Sequence, residues 1–232
     1  MISLQTLSLL SLMDAAALAV LLILWAFMGW WIEHPSMKRP STSFIMASYR
    51  REWMVQMIGR EVRIFDAQTI GTLRQSTAFF ASTCVIAIGG TLALIGNAEQ
   101  IAGVAADLTD ARDPEIIWEL KLLMIVVFLT SAFLKFVWSN RLFGYCSVIM
   151  GAAPNDPDHP KGPQYARKAA ELNIAAARSF NRGLRAIYFG LAAVAWLAGP
   201  LPLIAAASIT AVVIWRREFA SQSRRALLED AS

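Results

Sequence analysis

Four blocks of the chain are predominantly apolar: residues 15–32, 77–96, 116–138 and 186–215. An α-helix needs about 20 such residues to cross a hydrocarbon core roughly 30 Å thick, and each of the first three blocks approaches or exceeds that length. The pattern therefore predicts an all-α fold, a polytopic helical membrane protein with four to five transmembrane helices.

The fourth block is interrupted at Gly199, Pro200 and Pro202. Glycine relaxes the backbone, and the two prolines lack the N–H that a helix needs for its hydrogen-bond ladder. The interruption either kinks one long span or turns a hairpin of two short ones. The hairpin is the favoured interpretation, and it gives spans at about 15–32, 77–96, 116–138, 185–198 and 201–215.

The basic residues decide between the two interpretations, because cytoplasmic loops retain Lys and Arg. The first and third connections each contain seven basic residues, whereas the second contains only Arg112 among four acidic ones. The tail carries four further arginines, which a single kinked span would place outside the cell. A hairpin returns them to the side of the other basic segments. The pattern predicts an outer N-terminus and a cytoplasmic C-terminus.

Two basic connections are predicted to form long amphipathic cytoplasmic helices, over residues 43–75 and 163–185. The first segment contains no proline, and its broad apolar arc is interrupted by charged residues. A helix lying on lipid shows a cleaner division of its faces, so packing against a protein helix is favoured. The second segment has an apolar seam at spacings of three and four and is the expected partner. The opposite side of the first segment carries a candidate polar cluster: Glu52, Arg63 and Asp66.

Two groups of cations are candidate contacts for anions or lipid headgroups. Arg178, Arg182 and Arg185 share one helix face, where contact with anionic headgroups is favoured over an anionic ligand or a partner's acidic surface. Lys121 and Lys135 lie near the two ends of the third span, where long side chains can snorkel to the interface. Their separation also places them within about 40° of one helix face. A sharper hypothesis therefore makes them the two mouths of an anion path.

The remaining reactive side chains predict no metal and no cofactor. Cys84, Cys146, His34 and His159 lack the spacing of a metal site. The sequence has no nucleophile–base constellation and no glycine-rich phosphate loop, so no catalytic residue is assigned. The net charge of +4 is explained by topology and comes without a base-stacking aromatic groove. Nucleic acid is therefore not an expected partner.

Several blocks of the sequence resemble a known family. They are Arg60–Thr83 (REVRIFDAQTIGTLRQSTAFFAST), Trp118–Leu123 (WELKLL), Arg141–Pro154 (RLFGYCSVIMGAAP) and Arg178–Trp196 (RSFNRGLRAIYFGLAAVAW). The family comprises predicted bacterial integral membrane proteins and is catalogued only as a domain of unknown function, number five hundred and ninety-nine. The resemblance implies a multi-pass protein of the bacterial inner membrane. It implies no activity, cofactor or catalytic residue.

Three hypotheses for the function follow from these observations. The favoured one is a non-catalytic oligomeric or accessory component, which packs through its spans and presents a helical cytoplasmic platform. Its expected partners are anionic lipid headgroups and either further copies of itself or another membrane protein. The second is a small oligomeric anion channel or transporter, and the third is an intramembrane enzyme that modifies lipids. The sequence leaves the ligand, the partner and the oligomer number open.

Overall fold

The computed structural model describes residues 10–97 and 114–229, and this part of the chain is helical, without strands. The prediction of an all-α protein is confirmed. Helices α1, α3 and α4 are each long and apolar enough to cross a membrane. The helices are α1 (Leu12–Glu33), α2 (Thr42–Ile58), α3 (Ile64–Ile95), α4 (Glu115–Ala152), α5 (Gly162–Val194), α6 (Pro200–Phe219) and α7 (Gln222–Leu228), with a 3₁₀ turn at Ala195–Ala198.

The chain divides into two units. One, here called the apolar unit, has its described residues at 10–29, 83–97, 114–132 and 185–215. The other, here called the polar unit, has its described residues at 30–82, 133–184 and 216–229. Most of the charged residues of the described chain belong to the polar unit, and the candidate site is therefore built from it.

The prediction of a single helix over residues 43–75 is wrong, because the helix is interrupted near the middle of this segment. Helix α2 ends at Ile58 and α3 begins at Ile64, with an irregular connection between them. Gly59 occupies the C-cap of α2, a position where its low helix propensity is harmless. The second predicted segment, 163–185, lies within the continuous helix α5.

Helix α2 packs against protein, as the sequence favoured. Met54 and Met57 are completely buried in an apolar cluster. The cluster also contains Cys146 of α4 and the fully buried Ala169 and Ala176 of α5. Unbranched methionine fills the gaps that such small alanines leave.

Helices α4 and α5 lie antiparallel in the polar unit. The Ser139 hydroxyl donates to the Ala176 carbonyl at 2.8 Å, and the Ser179 hydroxyl donates to the Lys135 carbonyl at 2.9 Å. At Gly183 an added Cβ would come within 2.8 Å of the Phe136 ring. A side chain at this glycine would therefore force the two helices apart.

The chain turns back at Gly199, as the hairpin interpretation requires. The hydroxyl of Ser43 accepts from the Asn181 amide at 3.3 Å and donates to the Glu218 carboxylate at 2.9 Å. In one continuous helix, residues 181 and 218 would stand about 55 Å apart. Gly199 has a φ of 115°, a backbone conformation that is open to glycine and strained for other residues.

The hairpin tip is fixed inside the apolar unit by a buried carboxylate. Trp196 is completely buried, and its indole N–H donates to Asp14 at 2.8 Å. The Ser11 hydroxyl accepts from the Asp14 backbone N–H at 3.0 Å and donates to the carboxylate at 2.5 Å. This pair caps the first turn of α1, so the same Asp14 starts one helix and holds the turn that follows α5.

Candidate functional site

The junction between α2 and α3 is organised around Asp66, which is completely buried in the polar unit. Its carboxylate accepts a hydrogen bond from the Trp53 indole at 2.6 Å and forms an ion pair with Arg60. Asp66 lies in the first turn of α3, where the helix dipole favours a negative charge. The carboxylate therefore joins the last turns of α2, the irregular connection and the start of α3.

Arg63 connects the same junction to α4. Its guanidinium donates to the carbonyl of Ala153 at 2.9 Å and to that of Pro154 at 2.6 Å. The last carbonyls of a helix have no partner within the helix, and a basic side chain can satisfy them. Arg63 thus caps the end of α4. A cavity of about 420 Å³ lies beside it, with Ile70 and Ser147 in its lining.

The predicted polar cluster is only partly assembled. Arg63 and Asp66 both belong to the junction, but each binds a different partner, while Glu52 is exposed on α2. Trp53 and Arg60 belong to the junction and were not predicted as site residues. Their pairing with Asp66 crosses the break between two helices, so helical periodicity gives no signal for it.

Three large apolar side chains are exposed at this junction. Val62, Ile64 and Phe65 are 64%, 63% and 65% exposed. The Arg60 guanidinium lies 5.8 Å from the centre of the Phe65 ring. Single exposed apolar residues are common, but a group of them on one short segment indicates a contact surface. We call Val62, Ile64 and Phe65 the junction patch.

Helix α2 is also fastened to α5. Arg51 forms an ion pair with Glu171 at 3.0 Å, and Arg50 donates a hydrogen bond to the side chain of Asn173. Burial lowers the pKa of Arg50, and the neighbouring Cys146 opposes this shift. A neutral amide thus supports a partly buried cation, which needs a hydrogen-bond acceptor when it leaves water.

The predicted arginine row does not form one exposed surface. Arg178 is exposed, whereas Arg182 makes a two-pronged contact with Glu33, in which one N–O distance is 2.8 Å. Hydrogen bonding to Glu33 raises the pKa of Arg182 against the opposing effect of burial. Arg185 is buried and belongs to the apolar unit. Whether any of the three contacts a lipid or an anion stays a prediction.

The two lysines of the proposed anion path have different surroundings. Lys121 is buried in the apolar unit, with its ammonium 4.6 Å from the centre of the Trp118 ring. A cation over an indole face is stabilised by the ring quadrupole. Lys135 is partly exposed and belongs to the polar unit. The anion path itself stays a prediction.

The described residues hold no group of three or more His, Cys, Asp or Glu side chains that could bind a metal ion. Cys84 and Cys146, both within that part of the chain, are buried free thiols. The candidate site is therefore defined by its ion pairs, its cavities and the junction patch.

The model of a family described as "Protein of unknown function, DUF599" matches residues 16–223. No curated protein and no solved structure matches the chain. The match covers every element of the junction and supplies no activity that could be assigned to it.

Replacing Asp66 by alanine is expected to destabilise the protein, because Arg60 and the Trp53 indole both lose their acceptor. Hydrogen bonds to charged groups are worth about 1.5–3 kcal/mol each, so the loss should reach several kcal/mol. Thermal unfolding of the detergent-solubilised protein measures it. Glu52→Ala is the matched control, because this exposed carboxylate makes no ion pair with the described residues. Equal melting temperatures for the two variants would contradict the assigned role of Asp66.

Proposed function

The chain belongs to the DUF599 family of proteins of unknown function, and we propose that it is a non-catalytic accessory or assembly component of the bacterial inner membrane. In this proposal the polar unit is a helical platform that holds a protein partner, either another copy of the chain or a different membrane protein. The observation that carries the proposal is the junction patch, which stands exposed on a segment fixed from both sides.

The base of the patch is held by polar contacts to three helices. Asp66 links the segment to α2 and α3, and Arg63 links it to α4. An irregular connection fixed in this way loses conformational freedom, which costs about 1–2 kcal/mol per residue. A fixed segment that exposes Val62, Ile64 and Phe65 is suited to binding a protein partner through these side chains. A partner that covers them gains about 25 cal/mol for each Å² of apolar surface removed from water.

Four carboxylates of the polar unit make structural contacts, which supports a non-catalytic role for them. Asp66, Glu33 and Glu171 each form an ion pair with an arginine elsewhere in the unit. Glu218 accepts from the backbone N–H of Ser43 at 3.0 Å. General acid–base catalysis needs a carboxylate within hydrogen-bond reach of a substrate proton. Asp66 is instead buried, with Trp53 and Arg60 as its partners.

Photo-crosslinking in the native host tests the platform. A photoreactive amino acid at Phe65 should yield a discrete crosslinked protein band, because a partner covers this side chain. The matched control is Gln75, an exposed polar position farther along the same helix. A Phe65 variant that crosslinks no more than the Gln75 variant, together with a strictly monomeric mass after mild extraction, would argue against the proposal.

The proposed orientation places the polar unit and the C-terminus in the cytoplasm. Three apolar helices and the basic first and third connections support it, because Lys and Arg resist translocation. A reporter that fluoresces only in the cytoplasm, fused after Leu228, should be bright. The same reporter fused after Gly96, before the acidic second connection, should be dark. An intact but dark fusion after Leu228 would refute this orientation.

An anion channel or transporter is the second candidate, and the buried Lys121 favours it. An ionisable side chain within an apolar helix is costly to insert and commonly marks an ion pathway. Proteoliposomes should then show an anion flux that falls at least tenfold, roughly, in the double variant Lys121→Ala, Lys135→Ala. Lys168→Ala, at an exposed cation outside the candidate groups, is the control for general loss of positive charge. Unchanged flux in a double variant that elutes like the parent would eliminate this candidate.

A further inference from the structure

The polar unit contains a second cavity, of about 490 Å³, between α2 and α5. We call it the α2–α5 groove. It does not include the junction patch, and its lining differs from that of the cavity beside Arg63. Most of its surface comes from apolar or small residues, namely Val55, Ile58, Gly59, Pro163, Ala166 and Ala170.

Two contacts between α2 and α5 border the groove. Arg51 of α2 pairs with Glu171 of α5 at 3.0 Å. Farther along, α5 approaches Ile58 so closely that an added Cβ at Gly162 would lie 3.2 Å from its side chain, and the lining continues past this point to Gly59 and Pro157. Arg51 and Ile58 are separated by about 10 Å along the axis of α2. The volume of about 490 Å³ is that of a small-molecule site rather than of a groove for a helix of several turns.

The floor of the groove is apolar. Ala166 and Ala170 are 1% and 2% exposed, and Ile58 is 8% exposed. Binding pockets for small molecules occupy about 300–1,000 Å³ and have mainly apolar walls with a few polar groups that fix orientation. The volume and the floor of this groove both fit that description, and they favour an apolar tail.

The rim of the groove carries one cation that forms no ion pair within the described residues. Arg51 is occupied by Glu171, but Arg167 also lines the groove and makes no hydrogen bond or ion pair with the described residues. A guanidinium presents donors in a planar fork that matches carboxylate and phosphate oxygens. The rim therefore favours one anionic head.

We propose that the α2–α5 groove binds a small amphiphile with a single anionic head, a carboxylate or a phosphate, and an apolar tail of about the length of the groove. The tail lies over Ala166 and Ala170, and the head is held by Arg167. This site is independent of the proposed platform, because the ligand and the partner would occupy different surfaces.

Fluorine NMR with a terminally fluorinated octanoate tests the site on the full chain in lipid nanodiscs. The probe signal should broaden beyond its broadening with empty nanodiscs, and octanoate or octyl phosphate should reverse the effect. The stronger competitor of the two identifies the preferred head. Octanol, which lacks a charge, should compete at least tenfold more weakly, roughly the worth of a charge-assisted hydrogen bond.

Two variants at exposed positions of the groove, together with one control, make the test specific. Arg167→Gln should weaken octanoate about tenfold and leave octanol unchanged, because only the head loses its partner. Val55→Trp, at a position that is 60% exposed, should block the groove mouth and abolish binding of every probe. Arg178→Gln, an exposed arginine of the same helix outside the groove, should bind like the parent.

Three outcomes would overturn the proposal. The first is broadening no greater than with empty nanodiscs, and the second is an equal loss of octanoate binding in Arg167→Gln and Arg178→Gln. The third is a copurifying protein that crosslinks through position 55 and is not displaced by octanoate, which would make the groove a pocket for a partner's side chain. If Phe65 showed no specific crosslink but octanoate still bound, the platform proposal would be refuted and the groove proposal would not. The two proposals are therefore tested separately.

Discussion

The polar unit depends on the burial of one carboxylate. Removing Asp66 from water costs several kcal/mol unless hydrogen-bond donors and a cation surround it. Trp53 and Arg60 supply them from earlier in the chain, and they can reach Asp66 only if the helix breaks between residues 58 and 64. That break lets Arg63 reach the last carbonyls of α4 and leaves the junction patch facing outward.

The close packing of α4 on α5 positions the second site. Buried alanines, Gly183 and the paired serines bring the two helices together, and this arrangement fixes the face of α5 that α2 meets. Helix α2 then contacts α5 tightly at Gly162 and is held by ion pairing at Glu171. Between these points α5 presents the small Ala166 and Ala170 at the floor, so a groove remains. The groove is thus a consequence of where small and large residues meet along one pair of helices.

The sequence predicts the elements whose causes are local. The predicted spans at 15–32, 77–96 and 116–138 match parts of α1, α3 and α4 to within one residue, because a long apolar block favours a helix by composition alone. The turn at Gly199 follows from glycine, proline and charge. Gly59 is the only local signal that we find among the described residues for the break before Ile64, because the contacts of Asp66 with Trp53 and Arg60 join groups that are not neighbours on one helix. Arg63 and Arg182 likewise each bind a group supplied by a distant segment, the Pro154 carbonyl and the Glu33 carboxylate, and helical spacing gives no signal for either contact.

The arginines of the polar unit contribute both a positive charge and a planar group of hydrogen-bond donors. A positive charge in a connection orients the neighbouring spans, and for that purpose lysine serves as well as arginine. Arg63 contacts several carbonyls at once, Arg182 grips both oxygens of Glu33, and Arg224 donates to the Pro40 carbonyl at 3.0 Å. Multiple donors in a fixed plane are a property of the guanidinium that the lysine ammonium lacks. The contacts therefore explain why these residues are arginine rather than lysine, and topology explains why they are positively charged. A basic pattern alone thus identifies neither a lipid surface nor an anion site.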